Sequence, residues 1–267
     1  PETMDLILQA TEMPSLRFMG LHCHIGSQIR GVEPFIETVK IMVEFLATLK
    51  DELSIEVEEL DLGGGLGISY LQGEVVPSVL EYAKAIGNAL SASCSRHGIK
   101  IPRIAVEPGR SIVGEAGTTL YKVGAIKKIA GVRKYVAIDG GMADNPRVAI
   151  YGAKYRAVIA NKMGAGPKEL VTIAGKCCET GDILIKDILL PMVEPGDILA
   201  VSGTGAYNYS MASNYNRLPR PAMVTVWQGQ SDIIVERETY ADIVRFDRVP
   251  KRLKGSGMVL AGDQRGV

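Results

Sequence analysis

The sequence carries no net charge, few aromatic rings and no long apolar run. Its 30 Lys and Arg balance 30 Asp and Glu, and no basic cluster is long enough to follow a phosphate backbone or coat an anionic membrane. Nucleic acid and membrane surfaces are therefore not expected partners. No stretch reaches the roughly 18 apolar residues of a membrane-crossing helix, and the first residues lack the basic start and apolar core of a secretory signal. Cytoplasmic residence is the resulting expectation. The four cysteines, Cys23, Cys94, Cys177 and Cys178, show neither zinc-ligand spacing nor a disulfide framework, which suits a reducing compartment. Of the three histidines, His22 and His24 have no nearby carboxylate or third His in sequence to complete a ligand set, so no metal site is expected. An initiator Met is also missing before Pro1, and the expectation is a chain that begins inside a longer gene product.

What is present suffices for one large domain or two ordinary ones: 267 residues, 46% of them hydrophobic. The first third alternates strand and helix. An apolar, strand-like run over residues 16–24 enters a turn at Gly26, and residues 33–50 read as a helix whose Phe35, Val39, Met42, Leu46 and Leu49 recur at steps of three and four. The unit repeats. Residues 55–62 are strand-like and end in Gly63, Gly64 and Gly65; Pro77 suits a helix first turn; Val79, Ala83, Ile86 and Leu90 share a face; and Gly98 is placed to end the helix. A third buried strand is expected over residues 101–106, ending at Glu107. Such alternation implies parallel βαβ units, whose ligand sites lie at the carboxyl ends of the strands.

After about Ser111 the pattern changes to short Val- and Ile-rich runs at residues 120–129, 135–138, 170–174, 198–202 and 222–227, separated by Gly, Pro and Asn turns. Residues 1–111 are thus read as an α/β part and 112–267 as a β-rich domain, with a polar, flexible tail after Val249. Three parallel strands alone would leave an open edge and an uncovered core, so a further segment is expected upstream.

The reactive residues gather in the predicted turns. His22-Cys23-His24-Ile25-Gly26-Ser27-Gln28 follows the first strand; His24 could lie beside a bound ring and Ser27 bind a phosphate, or both histidines could simply satisfy backbone groups. Asp61-Leu62-Gly63-Gly64-Gly65-Leu66-Gly67 follows the second, where consecutive glycines let N–H groups converge on an anion. Its spacing does not match the dinucleotide fingerprint G-x-G-x-x-G, and a plain tight turn is the alternative. Glu107-Pro108-Gly109-Arg110 closes the third; Arg110 is suited to bidentate pairing with phosphate or carboxylate, or to an ordinary surface pair. The β-rich part adds Asp139-Gly140-Gly141, Asn145-Pro146-Arg147 with Tyr151, Lys176-Cys177-Cys178-Glu179 and Gly203-Thr204-Gly205-Ala206-Tyr207, each in a turn, where loops carry chemistry.

In this order, over residues 16–245, these segments resemble the diaminopimelate decarboxylases, pyridoxal-phosphate (PLP) enzymes of the alanine-racemase-like fold. The strongest parts of the resemblance are His24-Ile25-Gly26-Ser27-Gln28, Glu107-Pro108-Gly109-Arg110, Cys177-Cys178-Glu179 and Gly205-Ala206-Tyr207. It implies the last three units of a PLP-binding (β/α)8 barrel followed by a β-sandwich- or β-barrel-like domain. By the same resemblance His24 would stack on the cofactor ring, and Ser27, Gly63, Gly64, Gly65, Glu107, Gly109, Arg110 and Tyr207 would hold PLP. Glu107 would face the ring nitrogen and keep it protonated. Arg110, Arg147, Tyr151, Glu179 and Tyr207 would contact substrate, and Cys178 would donate the proton. The implied reaction converts meso-2,6-diaminopimelate to L-lysine and CO2, in a homodimer whose Cys178-Glu179 segment reaches the partner's barrel. Charge agrees with that substrate: Glu179 and Arg147 offer a partner for its distal ammonium and its distal carboxylate, whereas ornithine needs only an acid. No lysine here stands in the Tyr-x-x-Lys-Ala-Asn context in which the family anchors PLP, so the chain alone is expected to be inactive. A related ornithine, arginine or carboxypolyamine decarboxylase and a non-catalytic regulatory homologue are the competing readings.

Overall fold

The computed structural model describes residues 2–253, and the end of the tail beyond residue 253 lies outside them. The chain divides into two compact units, one ending at Met211 and the other beginning at Ala212. The first opens with α1 (Glu2–Glu12), β1 (Gly20–His22), α2 (Glu33–Leu53), β2 (Glu59–Asp61), α3 (Val79–His97), β3 (Arg103–Ala105) and the single turn α4 (Arg110–Val113). The three strands are parallel in the order β1-β2-β3, and their last residues His22, Asp61 and Ala105 stand in one row. That register brings all three strand ends to the same edge.

The helices form where the spacing predicts them. Pro34 sits in the first turn of α2, and Ser54 in the left-handed region closes it, its N–H donating to the Lys50 carbonyl and the Ile55 N–H to that of Leu49. Phe35, Val39, Val43, Leu46 and Leu49 are buried on its inner face. For α3 the start differs by two residues: Ser78, not Pro77, caps it, in a reciprocal pair with Glu81, and Gly98 ends it at φ +61°. Its buried face runs through Tyr82, Ile86, Leu90 and Cys94, with the Tyr82 ring edge-on to Phe35 at 4.8 Å, while Val79 is exposed where it lines an apolar hollow with Ile86 and Ile104. The strands are shorter than their apolar runs, since only three residues of each find a ladder partner. Helix α1, not expected from the sequence, packs Ile7 against Leu46 and Leu49 of α2.

The β-rich part of the first unit is a six-stranded sheet: β4 (Thr118–Ile129), β5 (Arg133–Ile138), β6 (Ala157–Ile159), β7 (Glu169–Ala174), β8 (Ile183–Leu190) and β9 (Ile198–Ser202), in the order β6-β9-β4-β5-β7-β8. Every neighbouring pair is antiparallel except β5 and β7. Tyr121 and Val123 alternate inward along β4, and central β9 buries Leu199, Ala200 and Val201 in succession. Strands β6 and β8 were not singled out from the sequence. Between β5 and β6 lies α5 (Arg147–Tyr151).

The second unit pairs β10 (Met223–Trp227) with β11 (Gln230–Val235) and adds α6 (Tyr240–Val244). The two-residue loop places Gln228 at φ 49° and Gly229 at φ 79°, the left-handed pair that a tight hairpin with right-twisted strands requires. Glu238 accepts from Arg220 through Nε, Nη2 and the backbone N–H, and from Asn214 Nδ2. No helix among the described residues is long and apolar enough to cross a membrane.

Two outcomes are expected. A Cβ at Gly20 would lie 1.8 Å from the Glu59 carbonyl oxygen, so Gly20→Ala must push β1 off β2 and cost about 1–3 kcal/mol in denaturant unfolding. The Arg220 hydrogen bonds, side-chain first and then backbone, bring Glu238 down to about 2. A depressed carboxylate contributes stability above its unfolded value and loses it as pH falls through the folded one. The protection of the Arg220 amide, relative to the intrinsic exchange rate at each pH, should therefore fall between pH 4.5 and about 2, and that fall should be absent in Glu238→Gln.

Candidate functional site

The three strand ends are packed against one another through backbone. The Gly63 N–H donates to Asp61 Oδ1 at 2.8 Å, and the Glu107 N–H donates to the Gly63 carbonyl at 2.8 Å. A side chain on Gly64 would put its Cβ 2.4 Å from the Glu107 carbonyl, and one on Gly65 2.4 Å from that of Gly26. Gly65 also sits at φ +104°, so two independent constraints demand glycine there. The Gly64 N–H donates to His24 Nδ1 at 3.2 Å, which makes Nδ1 the acceptor and fixes the ring's orientation. Gln28, at φ 59°, is held by a pair of hydrogen bonds to the Ile68 backbone: Nε2 donates to its carbonyl at 2.6 Å and Oε1 accepts its N–H at 3.2 Å.

Arg110 is the pivot of the site. At 7% exposure it donates from Nη2 to Ser27 Oγ at 2.9 Å and from Nη1 to the Tyr70 hydroxyl in a short hydrogen bond, and its Nε is buried without a partner. The Tyr207 ring lies 4.9 Å from its guanidinium carbon, and the Arg147 guanidinium lies 5.4 Å from the same ring. Arg147 also stacks on Tyr151 at 5.3 Å, and its Nε is likewise buried and unpartnered. Among the described residues neither arginine has a carboxylate partner. Tyr207 itself is at φ 64°, and its hydroxyl comes within 3.2 Å of where a Gly109 Cβ would stand.

His24, Ser27, Gly64, Gly65, Glu107, Gly109, Arg110, Arg147, Tyr151 and Tyr207 therefore line one cleft of about 760 Å³. Gly63 lies behind it, on an apolar hollow between α3 and β3. Cys178 and Glu179 do not line the cleft; both are exposed on the loop between β7 and β8. Buried Asp182 ties that loop down by accepting the N–H groups of Met142 and Cys177, both at 2.7 Å, and Gly141 and Gly175 make room for its carboxylate. Gln28, part of the first motif, lines the cleft as well, and so do Tyr70 and Glu74, which were not singled out from the sequence; the one available signal for those two was their nearness to the glycine run. The absence of a carboxylate near His22 holds only along the sequence. In space His22 Nε2 is 3.3 Å from Glu107 Oε2, and donor atoms of His22, Asp61 and Glu107 lie within 4.8 Å of one another.

Asp182→Ala should leave two inward N–H groups unpaired, at about 1–3 kcal/mol each. Faster amide exchange at Met142 and Cys177, together with a lower denaturation midpoint, is the expected result.

The family described as pyridoxal-dependent decarboxylase, pyridoxal binding domain, matches residues 1–114. The chain is 50% identical over 246 residues to the diaminopimelate decarboxylase of Bacillus subtilis (strain 168), covering 92% of this chain and 56% of that one. It is 48% identical over 242 residues to that of Synechocystis sp. (strain ATCC 27184 / PCC 6803 / Kazusa), covering 91% and 51%. Diaminopimelate decarboxylase from M. jannaschii, solved with L-lysine, superposes with a TM-score of 0.88 at 42% identity, over 94% of this chain and 56% of that one. A lysine/ornithine decarboxylase from Vibrio vulnificus, at 23% identity and a TM-score of 0.70, shares the fold. The chain spans about half the length of the curated relatives it matches. The fold is accordingly the closing part of a (β/α)8 barrel followed by a β-domain, and the chain is homologous to the diaminopimelate decarboxylases over nine tenths of its own length.

Proposed function

We propose that this chain supplies the cofactor-holding and substrate-contacting half of an enzyme that decarboxylates meso-2,6-diaminopimelate to L-lysine and CO2 with pyridoxal 5'-phosphate. The observation that carries this reading is a single cleft in which two guanidiniums, without carboxylate partners among the described residues, flank Tyr207 beside a glycine-lined strand end and the His24 imidazole. The residues fit the cofactor. Gly64 and Gly65 hold a surface that any Cβ would fill, and among the described residues no carboxylate pairs with the Arg110 cation. Ser27, Gly65 and Arg110 would take the phosphate, His24 the ring face and Glu107 the ring nitrogen. Bound PLP supplies an electron sink for the pair left behind when CO2 departs. Everything else falls to the protein. Arg147 and Tyr151 would hold the distal end of the substrate with Glu179, and Cys178 would give its thiol proton to the carbon that lost CO2.

The division into barrel and β-domain near residue 111 is part of this proposal, supported by the family match ending at 114. So is a cytoplasmic homodimer: Cys178 and Glu179 lie outside this chain's own cleft and are exposed, as groups serving a partner's cleft would be. No lysine here stands in a Tyr-x-x-Lys-Ala-Asn context, so we also propose that the 267 residues alone form no covalent bond to PLP, which borohydride trapping and peptide mapping would test.

In protein of the relatives' full length, CO2 release from meso-diaminopimelate should exceed that from ornithine or arginine; a preference for either diamine precursor would replace the substrate named here. Cys178→Ala should lower kcat on the order of 10²–10⁴-fold while PLP absorbance is retained. Loss of PLP from that variant would reassign Cys178 to a structural role.

A further inference from the structure

The loop after the glycine run holds the cleft's most buried cation, yet nothing in the motifs points to it. We propose that Tyr70 is a positioning residue that aims Arg110 at an anionic oxygen of the ligand, and that Glu74 shapes the loop carrying it; this deepens, and rests on, the anion-binding reading of the cleft.

Four observations converge. First, the Tyr70 hydroxyl accepts from Arg110 Nη1 while Ser27 accepts from Nη2, so each terminal nitrogen is anchored by one neutral oxygen and keeps one N–H for an incoming ligand. Second, the anchors are neutral. A carboxylate in Tyr70's place would cancel the charge, whereas a phenol fixes the fork and leaves the cation for an anion to neutralise. Third, Tyr70 is itself immobilised, with its ring edge-on to Tyr155 at 5.5 Å and a Gly203 Cβ position 3.2 Å from its Cδ1. Fourth, Glu74 folds the loop: one carboxylate oxygen accepts the N–H groups of Tyr70 at 2.8 Å and Leu71 at 3.0 Å, and the other accepts from Arg30 at 2.8 Å. Those backbone bonds, with Arg30, hold its carboxyl below the usual range, so the loop is set at neutral pH. The relay runs from Glu74 through the Tyr70 backbone and hydroxyl to Arg110. A phosphate monoester and a carboxylate share the chemistry that Arg110 would recognise.

Inorganic phosphate and, separately, glutarate are titrated into the chain by NMR. The proteins are the unsubstituted chain, Tyr70→Phe, Arg110→Met and the double variant. Tyr70→Phe should weaken binding about tenfold, the scale of a hydrogen bond to a charged group. Its thermal midpoint should hold within about 2 °C, because the ring still packs on Tyr155. The double variant should bind no more weakly than Arg110→Met, since a residue acting through another has no effect once that other is gone. The anion that responds tells whether Arg110 serves phosphate or carboxylate. Unchanged affinity in Tyr70→Phe overturns the proposal, and so does a further loss in the Arg110→Met background, which would mean direct ligand contact. Should Tyr70→Phe fail to fold, Glu74→Gln keeps the ring and weakens the loop's acceptor; reduced affinity there supports the relay and unchanged affinity overturns it. Failure of the unsubstituted chain to bind either anion removes the anion-site reading itself, an outcome distinct from all of these.

Discussion

A buried guanidinium with no carboxylate beside it is an expensive group, and Arg110 is one. Its two terminal nitrogens rest on neutral oxygens of Ser27 and Tyr70, and its flat face on the Tyr207 ring. Desolvating an ion costs several kcal/mol after relaxation, and hydrogen bonds to neutral groups return only part of it. The cleft is therefore held in a state that an anion would stabilise. The loop from Tyr70 to Glu74, the αL backbone of Tyr207 and the first turn of α4 all serve to keep that cation where it is.

The parallel register of β1, β2 and β3 makes this possible. By bringing His22, Asp61 and Ala105 into one row, it sends three successive segments into the same small volume, where each must pass within van der Waals distance of its neighbour's backbone. Gly64 and Gly65 are what that crowding permits, and His24 takes its orientation from an N–H that only such close approach could supply. Sheet geometry thus decides which ring nitrogen of His24 accepts a backbone hydrogen bond from a segment 40 residues away.

Much of the fold was legible locally. The buried faces of α2 and most of α3, the Gly98 stop, and β4, β5, β7, β9 and β10 follow from periodicity and capping, which are properties of neighbours along the chain. What escaped was governed by distant contacts. Helix α1 is defined by packing on α2, β6 and β8 by their ladder partners, and β11 by a Gln-Gly turn that lacks the usual Asn or Asp. The exposed Val79 is a similar case, since it shares the face of Tyr82 and Ile86 but lines an open hollow, and the helix period does not tell what covers a face.

The order of the turn motifs, and with it the kinship to diaminopimelate decarboxylases, was determined by the sequence alone, because residue identity in a fixed succession needs no coordinates to be read. It also determined which residues had the chemistry for a phosphate, a ring and a carboxylate. Only the tertiary structure decided that Arg110 meets Tyr70 40 residues away and Ser27 83 residues away, that His22 meets Glu107, and that Cys178 and Glu179 stand apart from the cleft. Those pairings arise from strand register and loop closure, which depend on the whole packed chain and leave no periodic mark on the segments they join.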